Sequence, residues 1–98
     1  MGTKAHTTVV NRVIQLFAGE PNPDTSSVID IIAGDKLIAV ESTATLDQAI
    51  EQLLSMPGLR YIAATNQEAL LEAQRLCSAT PLGLINSQGQ VVKEAVET

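Results

Sequence analysis

The feature that most limits how this chain can fold is an alternation between residues 36 and 85. Three short aliphatic runs, KLIAVE, LRYIAA and PLGLI, are separated by two segments with helical periodicity. In TLDQAIEQLLSM, residues 45–56, Leu46, Ala49, Ile50, Leu53 and Leu54 share one helical face, and Asp47, Gln48, Glu51 and Gln52 share the other. Thr45 with Gln48 predicts a capping box at its start, and Pro57-Gly58 stops it. Thr65 with Glu68 predicts a second capping box. The helix it opens carries Ala69, Leu70, Ala73, Leu76 and Cys77 on its apolar arc. Strand–helix–strand–helix–strand is two βαβ units, and right-handed crossovers place their three strands parallel in one sheet.

The flanks extend that sheet. Residues 1–6 read as a flexible polar tail, leaving 7–98 as a single α/β domain. Between Thr7 and Phe17 the apolar residues have helical spacing, with Thr7 or Thr8 to cap the start and Gly19 to close the end. The β-branched valines there keep a strand open as the alternative. GEPNPDTSS, residues 19–27, reads as a loop. VIDIIA and KLIAVE flank Gly34-Asp35, which suits a type II′ hairpin turn. PLGLI and QVVKEAV close the chain around residues 86–89. The predicted order is α-β-β-α-β-α-β-β, a mixed α+β arrangement with helices packed on a small mixed sheet, on one face or both. A ferredoxin-like arrangement competes with it.

Charge limits the partners. Eleven acids face six bases, a net charge of −5, and the bases stand singly along the chain. Phe17 and Tyr61 are the only aromatics. Nucleic-acid binding needs clustered cations, and single strands add stacking platforms, so nucleic acid is not an expected partner. No apolar run approaches the 18 residues of a membrane span, and no secretory leader opens the sequence. A single cysteine precludes an intrachain disulfide. These features point to the cytoplasm.

No catalytic set, metal site or cofactor is predicted. His6 has no second histidine to join it, and Cys77 lies on an apolar arc. Glu68 with Glu72, and Asp47 with Glu51, are solvated pairs on polar helix faces. Asp30 interrupts an apolar run and reads as an outward-facing strand position. The positions just beyond the parallel strands are Glu41-Ser42-Thr43, Thr65-Asn66 and Asn86. They share the carboxyl edge where open α/β sheets bind ligands, near a topological switch point. Helix capping accounts for Thr43, Thr45, Thr65 and Asn66 equally well.

Residues 36–74 resemble the opening of a response-regulator receiver domain. No acidic pair follows the first parallel strand, however, and Asn86 stands near the place of the phospho-accepting aspartate. STATLDQAIEQLL and PLGLINSQGQVV resemble two pieces of a cystathionine-synthase-type nucleotide-sensing domain, but another strand and helix separate them here. Neither resemblance carries a function over. The leading expectation is a non-enzymatic protein-interaction module: a homodimer, or a small subunit or inhibitor of a larger partner. Its interface would use Val28, Ile29 and Ile31 of an unprotected edge strand, or Val9 and Val13 of the first helix. The alternative is a small-molecule sensor using the carboxyl edge. A third reading is an enzyme built from Glu41, Thr43 and Thr65.

Overall fold

The computed structural model describes residues 4–97. In chain order it contains α1 (Lys4–Phe17), β1 (Glu20–Pro21), β2 (Ile31–Ala33), β3 (Lys36–Glu41), α2 (Leu46–Leu54), β4 (Leu59–Ala64), α3 (Gln67–Cys77), β5 (Gly83–Ile85) and β6 (Val91–Lys93). The strands form one six-stranded sheet in sequential order, β1-β2-β3-β4-β5-β6. Pairing is parallel for β3–β4 and β4–β5, and antiparallel elsewhere. The mixed α+β order predicted from the sequence is the order observed, with β1 added in the segment read as loop. The ferredoxin-like alternative is excluded, because its central strands do not run in sequence order.

Both crossovers step the same way across the sheet, so right-handedness puts α2 and α3 on one face. There Leu46, Ile50 and Leu53 of α2 and Ala69, Ala73 and Cys77 of α3 pack on Ala39, Ile62 and Leu84. Helix α1 covers the other face, where Val9 and Val13 meet Ile31, Ile38, Val40, Tyr61 and Ile85. Alternate residues of β3 and β4 therefore enter different cores. This is why these two strands read as continuous apolar runs. The two aromatics meet in the α1 layer, with ring centroids 5.5 Å apart. Gly83 sits beneath Tyr61, where an added Cβ would lie 2.4 Å from the ring.

Several local expectations change. Helix α1 starts at Lys4, so Lys4–His6 belong to it and not to a tail; residues 1–3 lie outside the described residues. The helix closes on Ala18, at φ 53°, with the Gly19 N–H donating to the Ile14 carbonyl, a Schellman arrangement. Gly19 thus serves packing, not the left-handed turn. Its absent Cβ would lie 3.0 Å from Ala33 and Ile31 side-chain atoms. Neither predicted capping box forms. Thr45 makes no side-chain cap, and Asn66, not Thr65, caps α3 by accepting from the Ala69 N–H at 2.8 Å. Gly34 has positive φ and Asp35 does not, as a type II′ turn requires.

The expected docking edge also changes. Strand β2 is an interior strand, covered by Glu20–Pro21 of β1. Ile29 and Ile31 are buried, as are Val9 and Val13, and Val28 is half-buried against the α2–α3 core. These five side chains build the chain's own cores, so they are not an exposed interface. The strand was misread because it is apolar on both faces, which looks the same in sequence whether the second face meets a partner or α1.

Candidate ligand site at the carboxyl edge of the sheet

At their amino ends the parallel strands are closed by Arg60, which is 1% exposed. Its Nε donates to the Gly58 carbonyl at 3.0 Å, and Nη1 donates to the Leu53 carbonyl at 2.8 Å and to that of Met56. The guanidinium thus satisfies carbonyls at the end of α2 and complements the negative end of that helix.

The carboxyl ends are arranged differently. The last parallel ladder pair is Glu41 with Ala64, and the Thr65 N–H then donates to the Glu41 carbonyl at 3.1 Å. This bond holds Thr65 beside Glu41 and Ser42. Beyond β3 the chain turns tightly into α2. The Thr45 hydroxyl accepts from the Ser42 N–H at 3.3 Å, and the Thr45 N–H donates to the Ser42 carbonyl at 3.2 Å. Thr45, Gln48, Ala49 and Gln52 then present one face of the helix, at the i, i+3, i+4, i+7 spacing.

That helix face is one wall of a cavity of about 570 Å³. Val40, Glu41 and Ser42, the 26–28 segment with Asp30, and His6 and Thr65 complete its lining. Asp30 takes up the end of the β2–β3 ladder with its side chain. Its Oδ2 accepts from the Val40 N–H at 2.7 Å, and its own N–H donates to the Ile38 carbonyl at 2.9 Å. It is therefore half-buried and bonded, where alternation predicted an outward-facing side chain. Its Oδ1 lies 3.7 Å from His6 Nε2. Asn22 closes the loop behind it, donating from Nδ2 to the Ile29 carbonyl.

Glu41 is the electrostatically distinctive group. Burial pushes its carboxyl up to about 7 from an ordinary 4.5. The bond from the Thr45 hydroxyl works against that rise, and the nearby Asp30 charge adds to it. Ionised Glu41 is thus costly at neutral pH unless a donor or cation meets it.

Of the sequence candidates, Glu41, Ser42 and Thr65 are brought together on the cavity wall. Thr43 is exposed and outside the lining. Asn66 is occupied as the α3 cap. Asn86 organises the β5–β6 turn, its Oδ1 accepting from the N–H groups of Gln88 and Gln90. No protein-family model matches this chain, and no curated protein or solved structure matches it. Among the described residues no three His, Cys, Asp or Glu side chains are grouped to hold a metal. Nor is any helix there long and apolar enough to cross a membrane.

The sequence reading missed His6, Asp30 and the glutamines of α2. Asp30 had a visible signal, an acid inside VIDII, whose meaning depended on the unseen partner Val40. His6 had none, since its place follows from α1 beginning earlier than its threonines suggested. The expected topological switch point is absent as well. The strand order never reverses, and the cavity lies where the sheet changes from antiparallel to parallel pairing.

Proposed function

We propose that this domain binds a small polar ligand at the carboxyl edge of its sheet and acts as a sensor or carrier, without turnover. The observation that carries this reading is the cavity itself. Three of the six residues singled out from sequence line it, and its volume lies within the range of small-molecule sites. Thr65 supports the reading too: Asn66 has taken over the capping role, and Thr65 lines the cavity. A thermal-shift screen against metabolites tests it, because a ligand that binds only the native state raises apparent stability. Hits should perturb the amide signals of Glu41, Ser42 and Thr65. A hit that moves only distant residues, or a broad screen with none, contradicts the reading. We place this activity in the cytoplasm, in keeping with a lone, buried cysteine.

The protein-interaction reading is favoured by one observation. Strand β6 is an open edge of the sheet, and Val92 and Val96 near it are 43% and 60% exposed. Lys93 does not guard that edge, because its ammonium turns inward to the carbonyls of Thr80 and Leu82. Such an edge suits strand addition by a second copy or another protein. Sedimentation at micromolar concentration, repeated with Val92→Lys, separates an associating edge from a monomer.

A further inference from the structure

We propose that the carboxyl-edge cavity selects a ligand bearing an aliphatic ammonium group, held between Asp30 and Glu41. The inference rests on the ligand-site reading and names the chemical class of its ligand. Asp30 and Glu41 both line the cavity, and no lysine or arginine does. Lys4 and Arg12 line a separate hollow that shares Thr65 with it, and His6, within the cavity, lies 3.7 Å from Asp30 Oδ1. An anionic ligand would meet two like charges there, whereas an ammonium meets two opposite ones in a partly desolvated setting where charge pairs count for more.

The rest of the lining fits the stem of such a ligand. Half-buried Val28 supplies apolar surface, and Gln48 and Gln52 supply hydrogen-bond partners along α2. Short aliphatic amines combine these features: an apolar chain and a compact charge with three donors.

Binding an ammonium requires Glu41 in its ionised form, so a proton leaves Glu41 for bulk water as the ligand enters. The charged and titratable groups facing Glu41 are Asp30, ahead of β2, and His6, from α1. Helix α2 presents uncharged Thr45, Gln48 and Gln52 there, and the end of β4 presents Thr65. With a midpoint of about 7, Glu41 is mostly ionised at pH 8 and mostly protonated at pH 6. An alkyl ammonium stays charged at both. Affinity should therefore fall roughly tenfold from pH 8 to pH 6.

The test is an amide-NMR titration of the intact chain with 1,4-diaminobutane and, in parallel, with 1,4-butanediol, at physiological salt. Expected are saturable shifts at Glu41, Ser42 and Thr65 with the diamine, at least tenfold weaker binding of the diol, and loss of the preference in Glu41→Gln. His6→Gln should retain the pH dependence, which separates Glu41 from the imidazole. Asp30→Asn keeps an acceptor for the Val40 N–H and should weaken diamine binding, as a second variant independent of Glu41. Equal binding of diol and diamine overturns the ammonium inference and leaves the polar-ligand site standing. Diamine shifts spread over the acidic surface, with none saturating at the cavity, overturn it also. If metabolites in the thermal screen bind elsewhere, the site reading itself fails.

Discussion

The two ends of the parallel strands handle a charge in opposite ways. At the amino end, Arg60 is almost fully buried and its donors meet the carbonyls of Leu53, Met56 and Gly58. At the carboxyl end, Glu41 is half-buried, its protonation is shifted toward neutrality, and it borders an open cavity. A buried charge whose hydrogen bonds are met within the chain fastens the fold. One left partly desolvated beside open space is a cost that a ligand can relieve. The two ends of one crossover, β3–α2–β4, thus carry a candidate binding site where it begins and a structural clasp where it finishes.

Removing the clasp should cost the most. Arg60→Met keeps the apolar stem but strands the three carbonyls, and should cost about 2–4 kcal/mol by chemical denaturation. A loss below about half a kcal/mol would mean that solvent replaces the guanidinium freely. Glu41→Gln should do the reverse and stabilise. A carboxyl whose midpoint is raised on folding binds protons more tightly in the folded state, so its destabilising effect is full above about pH 7. That effect fades as pH falls toward 4.5. The gain should be on the order of 1–2 kcal/mol at pH 8, allowing for solvent screening of a partly exposed group, and near zero at pH 4.5. A gain that is the same at both pH values would contradict the desolvation account. The smallest effect belongs to Thr45→Val. It removes the hydroxyl that holds Glu41 down, so the Glu41 midpoint should rise further by NMR titration, with a stability change of less than about 1 kcal/mol. A fall in that midpoint would exclude Thr45 as its donor.

How much of this was legible in sequence follows the range of the forces involved. The alternation of apolar runs with amphipathic helices is local, and it yielded the order of elements along the chain and the parallel centre; the Gly34-Asp35 turn was legible from its own two residues. Capping was less legible, because Thr65 and Asn66 are adjacent and either can cap; tertiary placement of Thr65 beside Glu41 decided between them. The interface expectation failed for a similar reason. Val9, Val13, Ile29 and Ile31 are as apolar as an interface needs, and nothing local says that α1 and β2 cover each other. Glu41, Ser42 and Thr65 could be collected because parallel strands align their ends. Asp30 and His6 could not, since they reach the cavity through a hairpin and a helix packed on the opposite face.

On the reading proposed above, Glu41 borders a ligand site and is not an ordinary surface acid. Carbon-13 NMR titration of its side-chain carboxyl, with and without 1,4-diaminobutane, tests that most directly. A midpoint near 7 is expected in the free protein, and a clearly lower one with the diamine bound. A free midpoint in the usual carboxylate range, unmoved by the diamine, would contradict it.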